Sequence, residues 1–168
     1  MIIREELLKE HSKEQALKIA TYACNSQGNF KELMRCFMDE EYRVAQRAAW
    51  SVSWAARKKP EMILPHIQEI VSQLKRKDVH AAVIRNSVRI LEDIDIPEEF
   101  HGEVMDACFS FIESPSTPVA IKAFSLKTLD NLSRYYPDIK AELKLIIEER
   151  WETGSAAFRS RAKKIMAK

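Results

Sequence analysis

The sequence predicts an all-α fold of stacked helical hairpins, and three observations carry that expectation. Only 3 of its 168 residues are glycine and 6 are proline, too few for the turns of a β-sandwich or for a Gly-rich phosphate loop. Apolar residues recur at helical spacing along most of the chain. A basic–small–apolar pattern also returns, at Arg47-Ala48-Val52, Arg85-Asn86-Ile90, Lys122-Ala123-Leu126 and Arg161-Ala162-Ile165, with separations of 38, 37 and 39 residues. The turn prolines Pro60, Pro97 and Pro137 recur at 37 and 40 residues.

Each element has a local reason. A short helix is expected over 3–10. Ser12 with Gln15 has the spacing of a capping box opening a helix over 12–26, and Asn29 with Glu32 that of a second box opening 29–38. Gly28 sits where a left-handed stop would fall between them. Helix 41–58 carries one stripe of small apolar residues, Val44, Ala48, Val52 and Ala55. Pro60-Glu61 starts a helix over 61–76 with Ile63, Ile67, Ile70, Val71 and Leu74 on one stripe, and a helix over 79–94 follows.

Pro97-Glu98-Glu99 opens 98–113, whose stripe is Phe100, Val104, Ala107, Cys108 and Phe111. Thr117-Pro118 opens 118–135, where Val119, Ile121, Phe124, Leu126, Leu129, Leu132, Tyr135 and Tyr136 cover a much wider arc. A helix apolar over that much of its circumference is expected to be covered on two sides. Pro137-Asp138 opens 138–152, and Gly154 marks a second left-handed stop. In the closing helix 155–167, Phe158, Ala162, Ile165 and Met166 are expected to face inward and Arg161 and Lys164 outward, the pattern of a terminal cap, which favours a monomer.

At 19.5 kDa and 46% hydrophobic residues, the chain has room for one domain with a sizeable core. No charge-free run approaches the roughly 20 residues that a membrane helix needs. Glu5 and Glu6 fall where a signal peptide would carry its apolar core, so the expected location is cytoplasmic. Cys24, Cys36 and Cys108 are odd in number and far apart, as suits reduced, packed thiols. Four isolated histidines and no cysteine pair at ligand spacing leave no expected metal site, no cofactor and no catalytic residue.

The net charge of +2 hides an ordered distribution. Residues 41–89 hold 10 bases and 4 acids, residues 90–121 hold 8 acids and no Lys or Arg, and residues 122–168 hold 11 bases and 6 acids. On helix 98–113, Glu99, Glu103, Asp106 and Glu113 form an acidic strip, read either as a solvated face or as a docking strip for a basic partner. On helix 41–58, Arg43, Arg47, Trp50, Trp54 and Arg57 share the side opposite the small-residue stripe. Tryptophan interleaved with arginine suits a partner-binding surface and also a stacking, phosphate-contacting one. Burial between neighbouring repeats, with arginine stems over the rings, is the structural alternative.

The segments Asp39-Glu-Glu-Tyr-Arg-Val-Ala-Gln-Arg-Ala-Ala, Asp78-Val-His-Ala-Ala-Val-Ile-Arg, Pro118-Val-Ala-Ile-Lys-Ala-Phe-Ser-Leu and Tyr136-Pro-Asp-Ile-Lys-Ala-Glu-Leu carry a resemblance to the HEAT-repeat family. The resemblance runs from about Ser12 to the end. It implies a right-handed α-α superhelix, a solenoid of about four hairpins plus a terminal helix, as a single domain over 1–168. It also implies a non-catalytic scaffold that binds another macromolecule, most often a protein. A minority of the family, the DNA alkylation-repair glycosylases, binds nucleic acid through tryptophans, an aspartate and an arginine, and no Asp or Glu on the Trp50/Trp54 face of helix 41–58 matches that set.

Overall fold

The computed structural model describes residues 1–168 as helices joined by short turns, without strands. The packing divides the chain into two compact units, Met1–Ile94 and Asp95–Lys168. The first holds α1 (Ile3–Lys9), α2 (Lys13–Ala23), α3 (Gln27–Phe37), α4 (Tyr42–Lys58), α5 (Pro60–Ile63), α6 (Ile67–Ser72) and α7 (Ala81–Asp93). The second holds α8 (His101–Glu113), α9 (Val119–Leu132), α10 (Pro137–Glu149) and α11 (Ala156–Met166).

In the first unit α4 is central, packing on α1, α2, α3, α5 and α7. Val44, Ala48, Val52 and Ala55 are all fully buried, as their shared stripe predicts, and Ala45, Ala49 and Ala56 join them. So many small side chains let several helices approach one backbone closely. Ile63, Ile67, Ile70, Val71 and Leu74 are buried too, yet the expected helix 61–76 is broken. A 3₁₀ turn over Leu64–His66 separates α5 from α6. Pro65 explains it: proline has no N–H to donate, and its ring collides with the carbonyl four residues back.

The caps are partly as read. Ser12 Oγ accepts from the Gln15 N–H at 3.1 Å, but the Gln15 side chain turns away from the cap and donates to the Glu6 carbonyl oxygen at 2.7 Å and to its carboxylate at 3.0 Å. The second expected box is displaced. Ser26, not Asn29, caps α3, its Oγ accepting from the Asn29 N–H at 3.1 Å, while Glu32 accepts from the Ile3 N–H at 2.9 Å. Gly28 therefore lies inside α3, and neither it nor Gly154 is left-handed, contrary to expectation. α2 stops on Cys24 in the ordinary right-handed region, which needs no glycine.

In the second unit α9 packs against α8, α10 and α11. Ile121, Leu126, Leu129 and Leu132 are buried, with Leu129 at 0% exposure. Four members of the predicted arc are not: Val119 and Tyr135 are more than half exposed, and Phe124 and Tyr136 are half-buried. Val119 is the first residue of the helix, and Tyr135 lies beyond its end, where its ring is 5.3 Å from that of His101 at the start of α8 and its hydroxyl donates to Asp95 at 3.0 Å. In their place Ser125 and Thr128 are buried, each returning its hydroxyl to the carbonyl one turn back. Phe158, Ala162 and Ile165 of α11 face inward, but Met166, in the last turn, is 36% exposed.

Candidate functional site

Residues 43, 47, 50, 54 and 57 follow the i, i+4, i+7, i+11, i+14 spacing that keeps one face of an α-helix, and α4 runs unbroken through all of them. Arg43 and Arg57 are exposed, whereas Arg47, Trp50 and Trp54 are half-buried. Arg47 is spent on structure, donating at 2.7 Å to the Leu7 carbonyl at the end of α1. The Trp50 ring lies 5.3 Å from that of His11.

Trp54 gathers the most. The Lys13 ammonium lies 5.3 Å from its ring centre, the Arg89 guanidinium 5.3 Å and the Arg57 guanidinium 5.9 Å. Each is within the range of a cation–π contact. The indole Nε1 is buried without a hydrogen-bond partner. Arg57 donates to Asp93 at 2.9 Å, and burial followed by repulsion from Arg57 pushes the Arg89 guanidinium down from its ordinary value. The result is a cationic surface on α2, α4 and α7 with the carboxylates of Asp93 and Glu92 near Arg89.

His11, Lys13, Arg89 and Asp93 were not among the residues singled out from the sequence. Arg89 stands four residues after Arg85 in the repeat marker, the one pointer to it. Asp93 and Lys13 had none, because only the packing of α2 and α7 on α4 brings them in.

The acidic strip does form one exposed set: Glu99 in the 3₁₀ turn Glu98–Phe100, and Glu103, Asp106 and Glu113 on α8. The thiols are buried, and desolvation pushes Cys36 up to about 11 and Cys108 up to about 12, which disfavours the thiolate that nucleophilic chemistry would need. Buried His101 is held by the Ile96 carbonyl at 2.7 Å and the Tyr136 hydroxyl at 3.0 Å. No helix is long and apolar enough to cross a membrane.

The HEAT repeat domain family matches residues 3–168. The chain belongs to the HEAT-repeat family. No curated protein and no solved structure matches it. HEAT repeats are helical scaffolds that generally mediate interactions and are generally non-catalytic, and this chain's all-α, neighbour-on-neighbour packing is of that solenoid class. The stripe of α4 opposite Val44, Ala48, Val52 and Ala55 stays partly exposed, with Arg43 and Arg57 exposed and Arg47, Trp50 and Trp54 half-buried.

Proposed function

We propose that this HEAT-repeat chain is a non-catalytic interaction module that binds an acidic segment of another protein. The contact surface is Arg43, Arg47, Trp50, Trp54 and Arg57 of α4, joined by Lys13 and Arg89. The supporting observation is the cluster of three cations around the half-buried Trp54 indole. Three like charges repel one another, and a carboxylate-bearing ligand relieves that repulsion while gaining a large, rigid aromatic contact. Charge complementarity of this kind also speeds encounter.

The test is a titration of the full chain with a peptide of consecutive Asp and Glu residues, followed by tryptophan fluorescence. Trp54→Ala weakens binding at least tenfold, about 1.4 kcal/mol. Because the ring is only half-buried, the same variant lowers stability by about 2 kcal/mol or less, below the roughly 3–5 kcal/mol of a core tryptophan. If Trp50→Ala and Trp54→Ala both unfold the chain, the rings belong to its core and the surface is lost with them.

One observation favours a second reading. Asp93 supplies beside Arg57 a carboxylate that α4 itself lacks, completing a tryptophan–arginine–aspartate grouping suited to nucleic acid. A DNA oligonucleotide separates the two: binding that neutralises several phosphates weakens with salt at a log–log slope of about −0.9 per phosphate. Against this reading, cations already lie over the Trp54 ring, which leaves less of its face for a base to stack on.

A further inference from the structure

The second unit contains a cavity of about 270 Å³ lined by Lys122 of α9, Arg150 at the end of α10, the hydroxyl-bearing Thr117, Thr153 and Ser155, and Phe158 of α11. No acidic residue lines it. The Lys122 and Arg150 charges face the same space, each without a carboxylate, and the Arg150 Nε is buried with no hydrogen-bond partner. Two unpaired cations on one cavity wall are costly to fold, since a buried donor that gives up water without gaining a partner destabilises the folded state. Burial followed by the Arg150 charge pushes the Lys122 ammonium below its ordinary value, the expected response to a missing anion.

The walls are built rather than loose. Arg159 donates from Nε to the Trp151 carbonyl at 2.9 Å and from its terminal nitrogen to the Glu152 carbonyl at 2.9 Å, tying down the turn between α10 and α11. Gly154 lets that turn close: a Cβ there would sit 2.7 Å from Phe158 Cδ1 and 3.1 Å from the Arg150 carbonyl oxygen. The cavity also opens at the start of α9, which has no side-chain cap, so its first amides lack a side-chain acceptor.

We propose that this cavity binds a single phosphoryl group, free or as a monoester, with Lys122 and Arg150 as its cationic walls. A phosphate monoester carries about −1.5 to −2 charges at pH 7 and three strong acceptor oxygens, which matches two cations and a set of hydroxyls. The guanidinium fork of Arg150 suits two of those oxygens at once. The volume sets the size, because drug-sized ligands occupy about 300–1,000 Å³ and this cavity falls just below that range. The site lies in a different unit from the α4 surface and does not depend on it.

The experiment uses the full chain at constant ionic strength, with inorganic phosphate, O-phosphoserine and serine each added to about 10 mM and the thermal midpoint recorded. Phosphate or O-phosphoserine raises the midpoint and serine does not. Tighter binding of O-phosphoserine assigns the site to phosphorylated side chains, and tighter binding of inorganic phosphate assigns it to the free ion. Arg150→Gln and Lys122→Gln each weaken binding at least tenfold, while Trp54→Ala leaves it unchanged. Without ligand, either variant melts at or above the parent temperature, because one of two repelling charges is gone. If Arg150→Gln loses helicity, Lys122→Gln decides alone. No midpoint shift with either phosphate probe, an equal shift with serine, or unchanged binding in the folded Gln variants overturns the assignment.

Discussion

The Arg89 guanidinium of α7 lies 5.3 Å from the centre of the Trp54 indole of α4. Arg57 approaches the same ring from its own helix, so two guanidiniums that repel each other share one aromatic neighbour. Arginine cannot escape such a situation by losing its proton, and the repulsion remains in the unliganded protein. The proposed preference of the α4 face for an acidic partner rests on that repulsion.

The core of the second unit gives the plainest test. Leu129 is at 0% exposure in the last turn of α9, a helix with α8, α10 and α11 packed against it. Leu129→Ala destabilises by about 2–5 kcal/mol, because the surrounding helices cannot close fully into the space. Urea unfolding measures it, and a loss under about 0.5 kcal/mol would remove α9 from the centre of its unit.

Ser51 predicts a gain. Its hydroxyl is fully buried in α4 and has no partner, whereas Ser87 and Ser125 each donate to a carbonyl at 2.7 Å. Ser51→Ala removes an unsatisfied polar group and raises helix propensity, so it stabilises by about 1 kcal/mol. Ser125→Ala breaks a made hydrogen bond and does not. The comparison is read as opposite shifts of the urea midpoint at constant slope.

Glu6 supplies a pH dependence. Hydrogen bonds from Lys9, then Gln15, then Lys18, hold its carboxyl down from the ordinary 4.5 to about 2. A folded value below the unfolded one means a contribution fully present above about pH 4.5 and lost as pH falls toward 2. Wild type is therefore more stable than Glu6→Gln at pH 6, and the gap narrows between pH 4.5 and 2. A gap that stays constant over that range would show that the ionised carboxylate contributes nothing.

The acidic strip is proposed to be a solvated face. Charged helix faces that form only exposed contacts contribute little, and reversing two of them with Glu103→Lys and Asp106→Lys leaves helicity and acidic-peptide binding unchanged. A large change in association rate with helicity intact would instead mark the strip as a docking element.

The helices, their order and most of their buried stripes were legible in the chain because they follow from local rules. Apolar spacing placed α4 and α9, proline placed the starts of α5 and α10, and Val44, Ala48, Val52 and Ala55 are buried as their spacing required. Local rules misplaced the break at Pro65, the Ser26 cap and the two glycines, where competing signals a few residues apart had to be ranked. The shared face of Trp54 with Arg43, Arg47 and Arg57 was also legible, being a property of one helix. What surrounds that face was not. Lys13, Arg89 and Asp93 come from helices whose positions depend on packing, and Lys122 meets Arg150 only because α9 and α10 share a unit. Periodicity constrains which way a side chain points from its own axis, but which axes come together is set by burial summed over the whole unit, and no local stretch of sequence contains that sum.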